Sequence, residues 1–150
     1  GFPDTQRQRE QKSLGSGVIV DRAGLVVTNH HVVDGAEELT IILADRRQFV
    51  AEVVVADERT DLAVLKLKNP PADLVAIEIS DSDEILVGDL VLAIGNPFGV
   101  GQTVTSGIIS ALARTQVGVT DYQSFVQTDA AINPGNEAII VAVTPPTTIC

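Results

Sequence analysis

Aromatic residues are almost missing: four Phe, one Tyr and no Trp in 150 residues. A core built without them must be aliphatic, and Val, Ile, Leu and Ala carry most of the 45% of the chain that is hydrophobic. There is one cysteine, Cys150, so no disulfide can form within the chain and cysteine usage names no redox compartment. Cations are outnumbered, 10 Lys and Arg against 20 Asp and Glu, for a formal net charge of −10. Such a surface repels phosphate backbones and anionic lipid, which sets nucleic acid aside as a partner; the acid excess reads as solubility. No apolar run approaches the roughly 20 residues of a membrane-spanning helix. There is no initiator Met and no signal-peptide pattern at the start, so the expectation is either a mature or excised segment or a chain whose targeting part was never present.

What the chain does have is a repeating alternation of β-branched runs and turn formers. Residues 1–13, "GFPDTQRQREQKS", are polar and aperiodic and read as an arm, with Phe2 its one large apolar residue. "LGSGVIV" (14–20), the turn "DRAG" (21–24) and "LVVT" (25–28) form a predicted hairpin. "ELTIIL" (38–43), "QFVAEVVVAD" (48–57), "DLAVLKL" (61–67) and "LVAIEI" (74–79) are further predicted strands. "DSDEILVGD" (81–89) is a connection rich in turn residues. "LVLAIG" (90–95), "QTVTSGIISALAR" (102–114), "SFVQTD" (124–129) and "AIIVAV" (138–143) follow. The pattern predicts an all-β protein, about six strands before residue 81 and about four after, with the sheets closed as barrels and the second short of strands.

Four places carry candidate chemistry. His30 and His31 are adjacent in "VVTNHHVVDGA", at the end of a predicted strand. Neighbouring side chains there tend to point to different sides, so one imidazole at most is expected to face a given site and joint chelation of one metal ion is not expected. A catalytic imidazole needs a carboxylate to hold its tautomer, and Asp57, Glu58 and Asp61 in "DERTD" are the candidates, although an Asp before a strand is ordinarily turn chemistry. "GNPFG" (95–99) is a tight turn at a strand end. "AINPGN" (131–136) ends in Gly135 and Asn136, a loop able to aim backbone N–H groups at one point as an oxyanion hole requires.

In this order, "LGSGVIV", "GLVVTNHHVV", "RTDLAVLKL", "VGDLVLAIGNPFGVGQTVTSGIISALAR" and "FVQTDAAINPGN" resemble the HtrA/Deg family of trypsin-like serine proteases almost continuously from residue 14 to 136. The resemblance implies a chymotrypsin-like double β-barrel, with residues 1–13 an N-terminal arm, 14–80 a complete first barrel, 81–136 a truncated second barrel and 137–150 a divergent tail. It implies His31 as general base, Asp61 as its orienting carboxylate, and Gly135 and Asn136 as the oxyanion-hole loop. It further implies unfolded or extended polypeptide substrates, no cofactor and no metal, a homotrimer built through the arm, and a periplasmic or cell-envelope setting. The PDZ domain usual after the protease in this family is not expected within these residues.

One position departs. The family continues Gly-Asn-Ser-Gly-Gly; here the chain reads Gly135, Asn136, Glu137, Ala138, Ile139. A carboxylate stands where the nucleophile belongs, and a β-branched residue replaces a glycine. The expectation is an inactive endopeptidase domain. The alternatives are a pseudoprotease or chaperone-like fragment that binds extended peptide by strand addition, another nucleophile among Ser106, Ser110, Ser124 and Thr128, and a zinc site from His31, Asp61 and Glu137. For the last trio the ordinary reading is an ionic neighbourhood.

Overall fold

A computed structural model describes residues 15–96, 101–112, 126–132 and 139–143, the last five by their backbone. The arm 1–13, the residues 97–99 of "GNPFG", Ser124, the loop residues Gly135 and Asn136, Glu137 and the end of the tail lie outside the described residues.

The first lobe has five antiparallel strands, β1 (Gly17–Asp21), β2 (Leu25–Asn29), β3 (Leu39–Ile42), β4 (Gln48–Asp57) and β5 (Leu62–Leu67), in the order β1-β2-β5-β4-β3. The β1–β2 hairpin turns where the "DRAG" stretch requires. Asp21 accepts from the N–H of Ala23 through its side chain and from that of Gly24 through its carbonyl. Gly24 has φ +95°, and a Cβ there would stand 2.9 Å from Cβ of Pro70, so both backbone angle and space call for glycine.

Period-two burial builds the core. In β5, Ala63, Leu65 and Leu67 point inward between half-exposed neighbours. They pack with Val26, Val33, Ala51 and Leu74, and Ile19 of β1 and Leu39 and Ile41 of β3 lie against the same cluster. In a flat sheet the outermost of five strands would be roughly 19 Å apart. Both reach one small core, so the sheet is rolled, as in a barrel. The expected strand at 74–79 does not form. Leu74 is buried and Ile77 donates to the carbonyl of Ile19, but Val75 and Ile79 are 78% and 73% exposed. The segment lies beside β1 without a ladder.

The second lobe has its own core of Val91, Ala93, Ile109 and Ala130, with Ile85 against it. Its strands are β6 (Leu90–Gly95), β7 (Thr103–Ala111), β8 (Gln127–Thr128) and β9 (Ile139–Val143), ordered β8-β7-β6-β9. The architecture is all-β and trypsin-like, with an incomplete second barrel.

Candidate active site

Strand β2 ends at Asn29, and the chain does not continue extended through the histidines. His30–Val33 is a single helical turn, α1, closed by the Asp34 N–H donating to the His30 carbonyl at 2.9 Å. Helical geometry, about 100° per residue, rather than strand alternation therefore separates the two histidines. Val33 is buried in the first core and anchors the turn.

The carboxylate comes from the β4–β5 turn. Asp57 closes that turn: its carboxylate accepts from the Arg59 N–H at 3.1 Å and the Thr60 hydroxyl at 3.0 Å. Glu58 accepts from the Asp61 N–H through its carbonyl. Asp61 thus enters β5 with φ +55°, a left-handed angle that Asp tolerates better than most residues. Of the three acidic candidates, Asp61 is the one brought to a histidine.

Asp61 meets His31 twice. Its Oδ2 is 2.7 Å from His31 Nδ1, and its Oδ1 accepts from the His31 backbone N–H at 2.9 Å. Its carbonyl is also held, by the His30 N–H at 3.0 Å and by Asn29 Nδ2 at 3.1 Å. Partial burial pushes the Asp61 carboxyl upward, but the hydrogen bonds from the His31 backbone and ring, with the charges of both histidines, outweigh it and hold the acid below its ordinary value. The ionised carboxylate fixes the imidazole proton on Nδ1 and leaves Nε2 as the basic nitrogen. The pair is half-exposed.

The approach to residue 133 is pinned to β7. Ile108 donates to Asp129 Oδ1 at 2.8 Å, Thr128 Oγ1 donates to the Ile108 carbonyl at 2.9 Å, and Thr105 Oγ1 donates to the Ala131 carbonyl at 2.8 Å. Gly107 lets that segment close in: a Cβ there would fall 2.4 Å from the Ala130 nitrogen. Thr128 Oγ1 also accepts from the Ala130 N–H, so its hydroxyl is committed to the backbone and is no activated nucleophile. Ser106 and Ser110 are exposed on β7. Among the described residues no group of three His, Cys, Asp or Glu is arranged to hold a metal ion.

Sequence reasoning misses Asn29: no local signal tells that its amide serves a residue 32 positions away. Gly107 and Asp129 are also missed, each lying inside a stretch that reads as plain strand or loop.

The sequence matches the trypsin-like peptidase domain over residues 15–137. The chain belongs to the HtrA/Deg family of trypsin-like serine proteases. Among this family's members, the periplasmic serine endoprotease DegP of Salmonella typhimurium is 54% identical over 131 residues, which are 87% of this chain and 27% of that protein. The periplasmic pH-dependent serine endoprotease DegQ of Escherichia coli is 48% identical over 136 residues, 90% of this chain and 30% of that protein. The solved structure of the HtrA-type protease AlgW with a decapeptide superposes with TM-score 0.75 at 52% identity, over 86% of this chain and 39% of that one. The HtrA-type chain described here therefore spans under a third of the length of the two curated relatives.

Proposed function

We propose that this chain is an HtrA-type serine endopeptidase domain, with His31 as general base and Asp61 as its orienting carboxylate, in which Glu137 occupies the nucleophile's place and leaves the domain without hydrolytic activity. The 2.7 Å contact between His31 and Asp61 carries the reading, because it prepares Nε2 to take a proton from a hydroxyl. With a serine at the nucleophile position that oxygen would attack a peptide carbonyl, the N–H groups of the 135–137 loop would hold the oxyanion, and water would release the acyl group. A carboxylate has no such proton to give and is a poor nucleophile toward an amide. The substrates are extended or unfolded polypeptides of the kind suggested by peptide-bound AlgW, the setting is the periplasm named for the relatives, and assembly is a trimer through the arm 1–13.

The test is intact-mass and peptide mass spectrometry after treatment with a serine-reactive fluorophosphonate. The expected result is the mass of the sequence as written, with no adduct. A single adduct, or a different mass at the tail, would overturn the inactive reading and make this an active protease.

A second reading is a binding module. Among the described residues β3 pairs with β4 only as far as Ala51, so the outer edge of residues 52–57 is open, with Val53, Val54 and Val55 exposed. Such an edge accepts an added strand. Saturable binding of an extended apolar peptide by folded monomer supports this reading; no binding by folded monomer refutes it.

A further inference from the structure

The glycine-flanked serine of "LGSG" has no part in the chemistry above, yet it bonds both to the strand that leads to His31 and to the end of β6 in the second lobe. The Ser16 carbonyl accepts from Thr28 Oγ1 at 2.7 Å. Thr28 is the buried polar residue of the first lobe, 6% exposed and one residue before Asn29 in β2. The Ser16 hydroxyl accepts from the backbone N–H of Asn96 at 3.0 Å. Asn96 follows the end of β6 in the second lobe, and its Oδ1 in turn accepts from the Gly101 N–H at 3.1 Å, tying together the two ends of the 96–101 loop.

The flanking glycines explain how the serine comes so close. A Cβ on Gly15 would lie 2.5 Å from Cγ2 of Val32, in the helical turn beside His31. A Cβ on Gly17 would lie 2.9 Å from Cγ1 of Val26 and 3.2 Å from the Val27 carbonyl. Valine is stiff about χ1 and cannot swing aside cheaply. The tripeptide therefore presses flat against the histidine-bearing turn on one side and β2 on the other, leaving the Ser16 side chain to face the second lobe.

We propose that Ser16 is a positioning residue that couples the two lobes, its carbonyl holding the strand that leads to His31 and its hydroxyl holding the second lobe at Asn96. The two lobes have separate hydrophobic cores, so burial within each does not set their mutual placement, and the Asn96 N–H to Ser16 hydroxyl bond is a directional contact between them. The catalytic consequence of this coupling, alignment of the His31–Asp61 pair with the loop at 135–137, rests on the protease reading. The coupling itself does not.

The experiment is amide hydrogen exchange by NMR on the full chain, reading Asn96 and Gly101 against Leu65 in the first core as internal reference. Ser16→Ala is expected to speed exchange at Asn96 about fivefold to tenfold relative to Leu65, the scale of one lost hydrogen bond. Ser16→Thr, which keeps the hydroxyl, is expected to stay near the parent. Thr28→Val makes no contact with Asn96 and is expected to speed its exchange about threefold, through the loosened Ser16 carbonyl. Should Ser16→Ala not fold, Thr28→Val decides alone. Unchanged Asn96 exchange in Thr28→Val, or an equal rise at Asn96 and Leu65, overturns the coupling. A retained His31 Nδ1 proton signal in these variants shows the pair intact. Failure of the coupling is therefore distinguishable from failure of the protease reading, which fluorophosphonate labelling tests separately.

Discussion

Asp61 grips His31 at both its backbone and its ring: Oδ1 accepts from the His31 N–H at 2.9 Å and Oδ2 lies 2.7 Å from Nδ1. One contact fixes where the histidine is, the other how its ring is turned and which nitrogen carries the proton. A carboxylate can do both at once because it has two acceptor oxygens, and asparagine cannot.

The pH dependence of stability follows from this grip. Asp61 is held below its ordinary carboxylate value by His31, against a desolvation that pushes upward. A depressed folded-state pKa contributes stability above the unfolded value and loses it as pH falls through the folded value. The parent is therefore expected to lose stability from about pH 4 downward more steeply than Asp61→Asn. Urea unfolding midpoints across pH 2 to 7 check this; parallel curves for the two proteins would contradict it.

Asn29 steadies Asp61 rather than His31. Its amide donates to the carbonyl of a residue held at φ +55°, where a non-glycine residue needs outside support. Asn29→Ala is expected to cost about 1 kcal/mol, the usual worth of one such hydrogen bond. It is also expected to weaken the downfield Nδ1 proton signal of His31 without abolishing it, whereas Asp61→Asn removes that signal. Proton NMR at low temperature separates the two.

Gly107→Ala places a Cβ against the Ala130 nitrogen and Asp129 Oδ1, both within 2.5 Å. Backbone must move, and a cost of roughly 1–3 kcal/mol is expected. Gly35→Ala is the control: its φ is +71° but nothing lies within 4 Å of the added carbon, so its cost is that of the backbone angle alone, about 1 kcal/mol. Paired denaturation curves should rank Gly107→Ala the lower, with amide shifts concentrated at 128–131.

Glu137→Ser restores a hydroxyl but not the two glycines after it. Residue 139 already stands in β9, Ile139 opposite Ile94 of β6, in extended backbone rather than the irregular turn an oxyanion loop needs. The single variant is expected to take no fluorophosphonate and to cleave unfolded casein at the background rate. Measurable turnover would show that the loop tolerates the substitution.

The sequence by itself determined the β character, most strand positions, the hairpin at "DRAG" and the family, because period-two hydrophobicity and turn chemistry are local and the family's motifs lie in unbroken stretches. Setting Glu137 against the nucleophile position rests on the family's Gly-Asn-Ser-Gly-Gly pattern alone. The choice of Asp61 over Asp57 and Glu58 rested on resemblance, since all three occupy one turn. Only the fold separates them, by bending the β4–β5 turn so that Asp57 closes it and Asp61 reaches across to α1. The helical turn at His30–Val33 and the unladdered segment 74–79 escaped a local reading for the same reason. β-branched residues favour strands, but Val33 is drawn into the first core and Leu74 into its floor, and that burial sets the backbone. Asn29, Ser16 and Gly107 owe their roles to partners 32, 80 and about 23 residues away, and a hydrogen bond or a close approach over such separations exists only once the chain has folded.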